Sequence, residues 1–343
     1  RSRLEQTRQP GKHMEPVVAQ DIPQTLAPDL ALSMLRMILT IRMFEEKMLE
    51  FLNTGVIKGG SHLYIGQEAV ATGVCAALRK DDYITSTHRG HGHGLAKGGD
   101  PKALMAEILG KATGVCRGRG GSLHLADLNT GNLGANGIVG GSLGIAAGAA
   151  LSAKMRDSGQ IVACFFGDGA VNTGIFHEAM NMAKVWELPV LFVCENNLYG
   201  MSVSVNRATG LTDLADRADG YRMRKAIVDG QDVFAVWEAT HQYGEIARSG
   251  GGPTFIECKT YRFGGHSRSD ARKYRTREEE RKWRERDPVT VCAQRGIEEG
   301  WFDAGTVERI RSEVAAIIEE AADFALSSPE PDPSELTDDL YAA

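Results

Sequence analysis

Two short apolar runs, each followed directly by a polar motif, constrain the fold of this chain more than any other feature of its sequence. The first run, residues 161–166, leads into Gly-Asp-Gly, and the second, residues 190–194, leads into Glu-Asn-Asn. Between them, apolar side chains recur with helical spacing over residues 175–186 and stop before Pro189. This order predicts a strand, a helix and a second strand, which a right-handed crossover makes parallel.

The two motifs place oxygen ligands and bare backbone at the carboxyl ends of the predicted strands. Asp168 closes the first strand and Asn197 lies just past the second. Ligands bind at this edge in open α/β sheets, and a carboxylate with an amide oxygen suits a Mg²⁺ ion that also holds phosphate and water. Gly167 and Gly169 leave room for backbone N–H groups to approach a phosphate, and Asn172 supplies a further donor.

The longer motif, Glu-Asn-Asn-Leu-Tyr-Gly-Met at residues 195–201, carries a family resemblance. Gly-Asp-Gly followed by Asn-Asn resembles the thiamine diphosphate signature, and the full stretch is similar to the alpha subunit of two-oxoacid and acetoin dehydrogenase complexes. The resemblance implies a doubly wound α/β fold with a mostly parallel sheet flanked by helices. It also implies Mg²⁺ bound by Asp168, Asn197 and the main-chain carbonyl of Tyr199. An incidental Asp-Gly turn is disfavoured because the motifs follow consecutive strands.

Two further segments match the family and contribute basic groups and histidines. His-Arg-Gly-His-Gly, at residues 88–92, matches the pattern aromatic-Arg-x-His-Gly, which implies that Arg89 contacts the cofactor and His91 faces the reacting carbon. Residues 261–267 resemble the family's Tyr-Arg-x-x-Gly-His-Ser loop and imply a second catalytic histidine, His266. The cofactor-binding residues that the resemblance implies are Arg89, Gly137, Val139, Gly167, Asp168, Gly169, Ala170, Asn172, Asn197, Tyr199 and Arg262.

Several further positions match the family or carry charge, and for some of them the sequence leaves the role open. Gly137 and Val139 match a segment that presents backbone groups and an apolar side chain to the aminopyrimidine ring of the cofactor. Ser267 occupies the position that is phosphorylated in mitochondrial relatives, but a single sequence reveals no kinase. Arg117 and Arg119 form either an anion-binding patch or ion pairs with a partner chain.

Three closely spaced histidines, His88, His91 and His93, raise the alternative of a zinc site. We predict a loop here, leaving a strand at residues 83–85, because the alternating glycines deprive the histidines of a rigid scaffold. No cysteine or acidic ligand completes the set nearby, so zinc is disfavoured. The role of His93 stays open, and so does that of His124, which lies near the predicted site in the family pattern.

Length and composition fit one large α/β unit. The chain has 343 residues, of which 42% are apolar, and its net charge of −6 gives no case for nucleic-acid binding. The sequence contains no apolar run of 18 residues, so we expect no membrane insertion, and no Cys-x-x-Cys pair, so a reducing cytoplasm fits. We expect an N-terminal arm over residues 1–27, a cofactor-binding domain over 28–328 and a C-terminal tail over 329–343.

Apolar periodicity outside the central unit predicts the remaining elements. Helices are expected over residues 28–53, 101–110, 233–248 and 305–326, and strands over 225–230 and 254–258. The charged segment from 272 to 286 is interpreted as a solvated helix rather than a regulatory tail.

The extent of the resemblance determines which partners it implies. It covers roughly residues 30–290, which correspond to one diphosphate-binding domain without a pyrimidine-binding domain. The family's carboxylate that protonates the pyrimidine belongs to the beta subunit, and no acid of this chain matches it. The resemblance therefore implies a heterotetramer with a beta subunit and, beyond it, a lipoyl-bearing acyltransferase.

The implied reaction cleaves a C–C bond next to a carbonyl of a small-molecule substrate and passes the two-carbon unit to lipoamide. Residues 85–93 and 133–137 look closer to acetoin dehydrogenase than to mitochondrial pyruvate dehydrogenase. Acetoin therefore ranks first, pyruvate second, and another acyloin or two-oxoacid third. Two other hypotheses stay open: a non-catalytic scaffold paralogue, which need not bind the cofactor, and a zinc hydrolase, which predicts stoichiometric zinc.

Overall fold

A computed structural model describes residues 26–338 and residue 340, and a parallel β-sheet forms its centre. The strands in these residues are β1 (Tyr83–Thr85), β2 (Val162–Gly167), β3 (Val190–Asn196), β4 (Tyr199–Gly200), β5 (Val203–Ser204), β6 (Arg224–Asp229) and β7 (Thr254–Lys259). Five of them form one sheet in the order β1–β2–β3–β7–β6, in which every neighbouring pair is parallel. The mostly parallel sheet predicted from the sequence is confirmed.

Helices cover both faces of this sheet. The helices of the described chain are α1 (Pro28–Thr54), α2 (Glu68–Ala77), α3 (Gly90–Ala96), α4 (Pro101–Ile108), α5 (Gly141–Arg156), α6 (Gly174–Val185), α7 (Val205–Ala208), α8 (Val233–Ile246), α9 (Arg277–Arg284), α10 (Pro288–Glu298) and α11 (Ala304–Ser327). Side chains of β2 alternate between the faces: Cys164 and Phe166 pack with α5 and α6, and Phe165 packs with α2 and α8. The fold is therefore doubly wound, as predicted.

The predicted strand–helix–strand unit is formed by β2, α6 and β3. The two strands are parallel neighbours, and Gly167 at the end of β2 pairs with Glu195 near the end of β3. All seven residues of β3 are buried, which agrees with a central strand that is covered on both faces. Because the strands are in register, the motifs that follow them emerge at the same edge of the sheet.

An outer layer of helices lies beyond α2. Apolar side chains of α1, α4, α10 and α11 share one buried cluster, and α1 runs over residues 28–54 where the sequence predicts 28–53. Arg42 of α1 forms an ion pair with Glu68 at the start of α2 and another with Asp287 before α10. These ion pairs tie the outer layer to the helices that pack on the sheet.

The structure corrects the prediction for the histidine-rich segment. The sequence predicts a loop after β1, but residues 90–96 form the buried helix α3. The glycines permit this packing because a Cβ atom on Gly92 would lie 2.3 Å from Cδ1 of Tyr64. The charged segment from 272 to 286 is helical only in α9, where the side chain of Thr276 caps the first turn.

Both chain ends bear on the predicted domain limits. Residues 1–25 of the predicted N-terminal arm lie outside the described residues, so the arm stays a prediction. In the predicted C-terminal tail, Pro333–Thr337 forms a 3₁₀ turn, and Glu330 pairs with Lys111.

Among the described helices, none is long and apolar enough to cross a membrane. The cysteines are free, and the three in the central strands are buried, as predicted.

We predict that Gly92→Ala destabilises the chain and that Gly94→Ala does not. The new methyl group at residue 92 would collide with the fully buried ring of Tyr64, whereas at residue 94 its closest neighbour would lie 3.6 Å away. Overpacking of this kind costs about 1–3 kcal/mol, while alanine gains about 0.5–1 kcal/mol over glycine in a helix. Thermal unfolding of both purified variants measures the difference, and equal melting temperatures would contradict the packing described for α3.

Candidate active site

A cavity of about 290 Å³ opens at the carboxyl edge of the sheet, where β2 and β3 end. Its wall combines the 3₁₀ turn Asp168–Asn172, the β4–β5 hairpin and the loops that follow β1 and β7. The structure brings most of the predicted site residues together around this cavity, namely Arg89, Val139, Gly167, Asp168, Gly169, Ala170, Asn197, Tyr199, Arg262 and His266.

Asp168 and Asn197 present oxygen atoms to the cavity from neighbouring strands. Both side chains are buried. The Asn197 amide nitrogen donates to Gln67 Oε1 at 3.1 Å, and its Oδ1 accepts from the N–H of Tyr199 at 3.3 Å, which fixes the orientation of the amide. Burial raises the pKa of Asp168 to about 6. A buried carboxyl group with an oriented amide oxygen beside it is a donor set that suits a hard cation.

The turn and the hairpin meet closely beside this pair. A Cβ atom on Gly200 would lie 3.3 Å from the Cα atom of Gly169, so bare backbone is needed on both sides of the contact. Leu198 and Met201 adopt left-handed backbone conformations, with φ angles of 74° and 58°. Each such conformation costs about 1–3 kcal/mol, and strain of this size is typical of functional loops.

Two guanidinium groups, of Arg89 and Arg262, supply the positive charge of the cavity. Their residues are only 3% and 2% exposed. Arg89 donates to the carbonyl oxygens of Leu63 and His266, and Arg262 donates to the carbonyl oxygen of Met201 and to the hydroxyl of Tyr274. The described residues place no carboxylate within ion-pair distance of either group, and the Nε atom of Arg262 is buried without a partner.

No carboxylate of the described residues lies within ion-pair distance of this arginine pair, and acids farther away, Glu45 and Glu195 for Arg89 and Asp270 for Arg262, offset its charge only in part. Burial, followed by repulsion from Arg262, lowers the pKa of Arg89 to about 9, and burial lowers the pKa of Arg262 in turn. Burying a cation without a counter-ion is expensive. An anionic ligand in the cavity would offset this cost, so the electrostatics of the site favour an anion such as a diphosphate.

Three histidine rings meet beside the arginines. The ring centroid of His62 lies 4.7 Å from that of His266 and 4.8 Å from that of His88. Burial and then Arg89 lower the pKa of His266 to about 4 and that of His88 to about 2, and burial lowers the pKa of His62. All three rings are therefore neutral near pH 7.

Sequence reasoning missed His62, which lies in the segment before α2. Its signal is a histidine in a glycine-rich stretch, which alone predicts no position in space. His62, His88 and His266 also place one ring nitrogen each within 4.8 Å of one another, the spacing of a metal site. A dication there would lie beside the two buried guanidinium groups of Arg89 and Arg262, so the electrostatics oppose it.

The structure does not bring His91 to the cavity. Its ring is fully buried, with Nδ1 at 3.0 Å from Glu45 Oε1 and Nε2 at 2.8 Å from Ser122 Oγ. The physical reason is the folding of residues 90–96 as a helix, which turns this side chain toward α1. The zinc hypothesis requires the rings of His88, His91 and His93 to meet at one ion. The structure does not support this arrangement, because the three rings belong to separate networks.

Two other predicted cofactor residues do not line the cavity. Asn172 is exposed, and its Oδ1 accepts from Arg217 at 2.7 Å. Gly137 lies between two lining residues, and a Cβ atom on it would lie 3.3 Å from the ring of the exposed His124. Neither position places a donor in the cavity.

His93 belongs to the support of β3 rather than to the cavity. Its Nδ1 lies 2.7 Å from Ser86 Oγ, its Nε2 lies 3.1 Å from Glu195 Oε1, and its ring stacks on Phe165 at 3.9 Å. The hydroxyl of Tyr64 donates to the same carboxylate. This buried network holds the residues immediately before the Asn-Asn motif.

A single carboxylate organises the glycine-rich segment near the cavity. Glu107 Oε2 accepts from the N–H groups of Cys116 and Gly118, both at 2.8 Å, and Oε1 accepts from those of Gly120 and Gly121 at 2.7 and 3.0 Å. The residue is fully buried. The clamped segment leads directly to the serine that contacts His91.

The predicted anion patch or partner contact of Arg117 and Arg119 has a third explanation in the structure. Arg119 donates to the main-chain carbonyl of Glu335 at 3.1 Å, and both arginines approach the carboxylate of that residue. The arginines therefore bind the C-terminal segment of the same chain.

Comparison with known proteins identifies the family. The dehydrogenase E1 component family matches residues 35–334, which is most of the chain. The chain belongs to this family. The alpha subunit of acetoin:2,6-dichlorophenolindophenol oxidoreductase from Bacillus subtilis is 48% identical over 320 residues, which cover 93% of this chain and 96% of the relative.

Two further relatives of the dehydrogenase E1 component extend the comparison. The subunit of the same name from Cupriavidus necator is 44% identical over 319 residues, covering 93% of this chain and 96% of the relative. The pyruvate dehydrogenase E1 component subunit alpha from Rhizobium meliloti is 42% identical over 306 residues, covering 89% and 88%. The predicted family is confirmed. Its members are oxidoreductases, the family implies thiamine diphosphate as cofactor, and its alpha subunits imply a beta-subunit partner.

We predict that Glu107→Gln loosens the segment from 114 to 121, because the new amide nitrogen cannot accept hydrogen bonds from the backbone N–H groups that now donate to the carboxylate. Hydrogen bonds to a charged group are worth about 1.5–3 kcal/mol, so amide hydrogen exchange there should become about tenfold to a hundredfold faster. Glu320→Gln is the control, since Glu320 of α11 forms only a surface ion pair with Lys102, a residue of α4 like Glu107. Unchanged exchange in the Glu107 variant would contradict the clamp.

Proposed function

We propose that this chain is the alpha subunit of a thiamine diphosphate-dependent dehydrogenase complex and that its cavity holds the diphosphate end of the cofactor. The observation that carries the proposal is the pair of buried guanidinium groups, of Arg89 and Arg262, which face the cavity without a carboxylate partner. A diphosphate is an anion of matching charge, and guanidinium groups bind phosphate oxygens in a fixed geometry.

The proposed metal site uses the oxygens at the ends of β2 and β3. Asp168, Asn197 and the main-chain carbonyl of Tyr199 would hold Mg²⁺, with its remaining positions filled by diphosphate and water. The glycines at 167 and 169 leave the backbone beside them open, since a Cβ atom on Gly167 would have no atom within 4 Å and one on Gly169 would have its first neighbour at 3.5 Å. The donor set therefore fits a metal–diphosphate group.

The chain's own side chains supply proton transfer and positioning. When bound, thiamine diphosphate supplies the nucleophilic carbon and the electron sink for cleaving a C–C bond next to a carbonyl. His266 lines the cavity and is proposed to hold or donate a proton there. His91 is assigned a positioning role instead of the catalytic one predicted from the sequence, since Glu45 and Ser122 occupy both of its ring nitrogens.

The mouth of the cavity is apolar and exposed, which supports an incomplete site. Ile138, Val139 and Met201 line the cavity and are 73%, 55% and 65% exposed. Apolar side chains gathered at the mouth of a polar cavity are typical of a binding surface. We propose that the beta subunit of a heterotetramer covers them and contributes the pyrimidine half of the cofactor site, and that a lipoyl-bearing acyltransferase receives the product.

Acetoin is the proposed substrate and the cytoplasm the proposed location. Two relatives described as acetoin:2,6-dichlorophenolindophenol oxidoreductase subunits are 48% and 44% identical, against 42% for the pyruvate dehydrogenase subunit. Pyruvate is the second candidate because that margin is small. A scaffold without catalysis is disfavoured, because it would have no use for two buried guanidinium groups that form no ion pair with a carboxylate of the described residues.

We predict that Asp168→Ala weakens binding of thiamine diphosphate with Mg²⁺ by more than about a hundredfold, because it removes the only carboxylate of the proposed metal site. The measurement is calorimetry on the chain co-purified with its beta subunit, with circular dichroism to verify folding. Asn172→Ala is the matched control and should bind as the parent does, because Asn172 is exposed outside the cavity lining. Retained affinity in the Asp168 variant would refute the metal site.

We predict that the complex with the beta subunit reduces 2,6-dichlorophenolindophenol with acetoin at least about tenfold more efficiently than with pyruvate, measured as kcat/KM. A pocket that recognises a hydroxyl group discriminates by at least this factor against a substrate that lacks it. Preference for pyruvate would reverse the substrate ranking. Binding of the cofactor without reduction by either substrate would point to another acyloin or two-oxoacid.

A further inference from the structure

The ring of His266 is held between the two buried arginines. Its Nδ1 atom lies 3.3 Å from a terminal guanidinium nitrogen of Arg89 and 3.4 Å from one of Arg262. Guanidinium nitrogens only donate hydrogen bonds, so Nδ1 must present its lone pair to both of them. The neutral ring therefore carries its hydrogen on Nε2.

Two further histidines and one acid surround the ring of His266. The carbonyl oxygen of His266 lies 2.6 Å from Nδ1 of His62, so that nitrogen is the donor. His88 faces the same ring at a centroid distance of 5.6 Å. The acid in contact with this residue is Asp270, which accepts from the main-chain N–H of His266 at 2.7 Å and from the hydroxyl of Tyr274.

The charges of these neighbours have opposite effects on His266. Burial, and then Arg89, His62 and Arg262, lower its pKa to about 4, while Asp270 raises it. Burial is the largest of these effects, and the two guanidinium groups add to it as long as they lack an anion. In that state the ring binds no proton near pH 7, and Nδ1 is blocked by two N–H groups.

We infer that binding of a diphosphate between Arg89 and Arg262 allows His266 to take up a proton and form an imidazolium. The anion offers better acceptors to the guanidinium N–H groups than Nδ1 does, and a fully ionised diphosphate keeps a net negative charge beside one Mg²⁺ ion, which offsets part of theirs. A proton from solvent then occupies the freed Nδ1 lone pair, so that the ring carries one hydrogen on each nitrogen. This inference rests on the proposed diphosphate site and deepens it.

The consequence is a general acid that exists only in the loaded site. An imidazolium can donate a proton near neutral pH. The neutral ring of the empty site cannot, because the two guanidinium groups prevent Nδ1 from binding a proton. Binding of the cofactor would therefore also protonate His266 and make this residue able to donate a proton.

Calorimetric proton counting on the complex with the beta subunit tests this inference. Thiamine diphosphate with Mg²⁺, and separately inorganic diphosphate with Mg²⁺, are titrated at pH 6.5 in buffers of different ionisation enthalpy, which gives the number of protons taken up. If the pKa of His266 reaches the ordinary imidazole value of about 6.5, the parent takes up about half a proton more than His266→Asn. At pH 8 the difference should nearly vanish.

The variants separate His266 from the ligand and from the other histidines. The Asn side chain keeps an acceptor oxygen near the position of Nδ1 but cannot take up the proton. His241→Gln is the control, because His241 stacks on Trp237 of α8 and should leave proton uptake as in the parent. His266→Gln replaces His266→Asn if the latter does not fold.

The outcomes distinguish the inference from the function on which it rests. Binding with equal proton uptake in the parent and the His266 variants overturns the inference and leaves the proposed diphosphate site intact. Absence of binding in the parent overturns both. If no His266 variant folds, NMR of the parent with ¹³C-labelled histidine decides: one ring must change from the neutral to the charged shift when inorganic diphosphate and Mg²⁺ are added, and no change overturns the inference.

Discussion

Two buried positive charges, neither of which forms an ion pair with a carboxylate of the described residues, define this site. Arg89 leaves the end of β1 and Arg262 follows β7, so the fold carries both to the same edge of the sheet. A buried guanidinium group without an anion destabilises a protein, and a pair of them repel each other as well. The chain therefore retains an arrangement that lowers its own stability, which is the pattern expected of a ligand site.

The parallel sheet makes this arrangement possible. Its register brings Asp168 and Asn197 to the ends of adjacent strands, on the same edge as the arginines. Buried carboxylates outside the cavity lining hold neighbouring segments in place: Glu195 binds Tyr64 and His93, and Glu107 binds the glycine-rich segment. The polar groups with chemical roles thus stand on a scaffold whose own polar groups are largely satisfied.

The sequence predicted the parts of the molecule that depend on local pattern. Apolar runs and helical periodicity identified the β2–α6–β3 unit and the long terminal helices, because burial on a sheet or a helix face leaves a regular trace. Histidines were harder to place. His88, His91 and His93 lie within six consecutive residues of the sequence, but the fold of α3 directs His91 and His93 into separate buried networks. His62 joined His266 through a contact across 204 residues, which no local pattern encodes.

The most direct test is an experimental structure of the complex with its beta subunit, thiamine diphosphate and Mg²⁺. We expect diphosphate oxygens within hydrogen-bond distance of both Arg89 and Arg262, with the metal on Asp168 and Asn197. A structure in which a carboxylate of either subunit neutralises the arginines, while the diphosphate lies elsewhere, would contradict it.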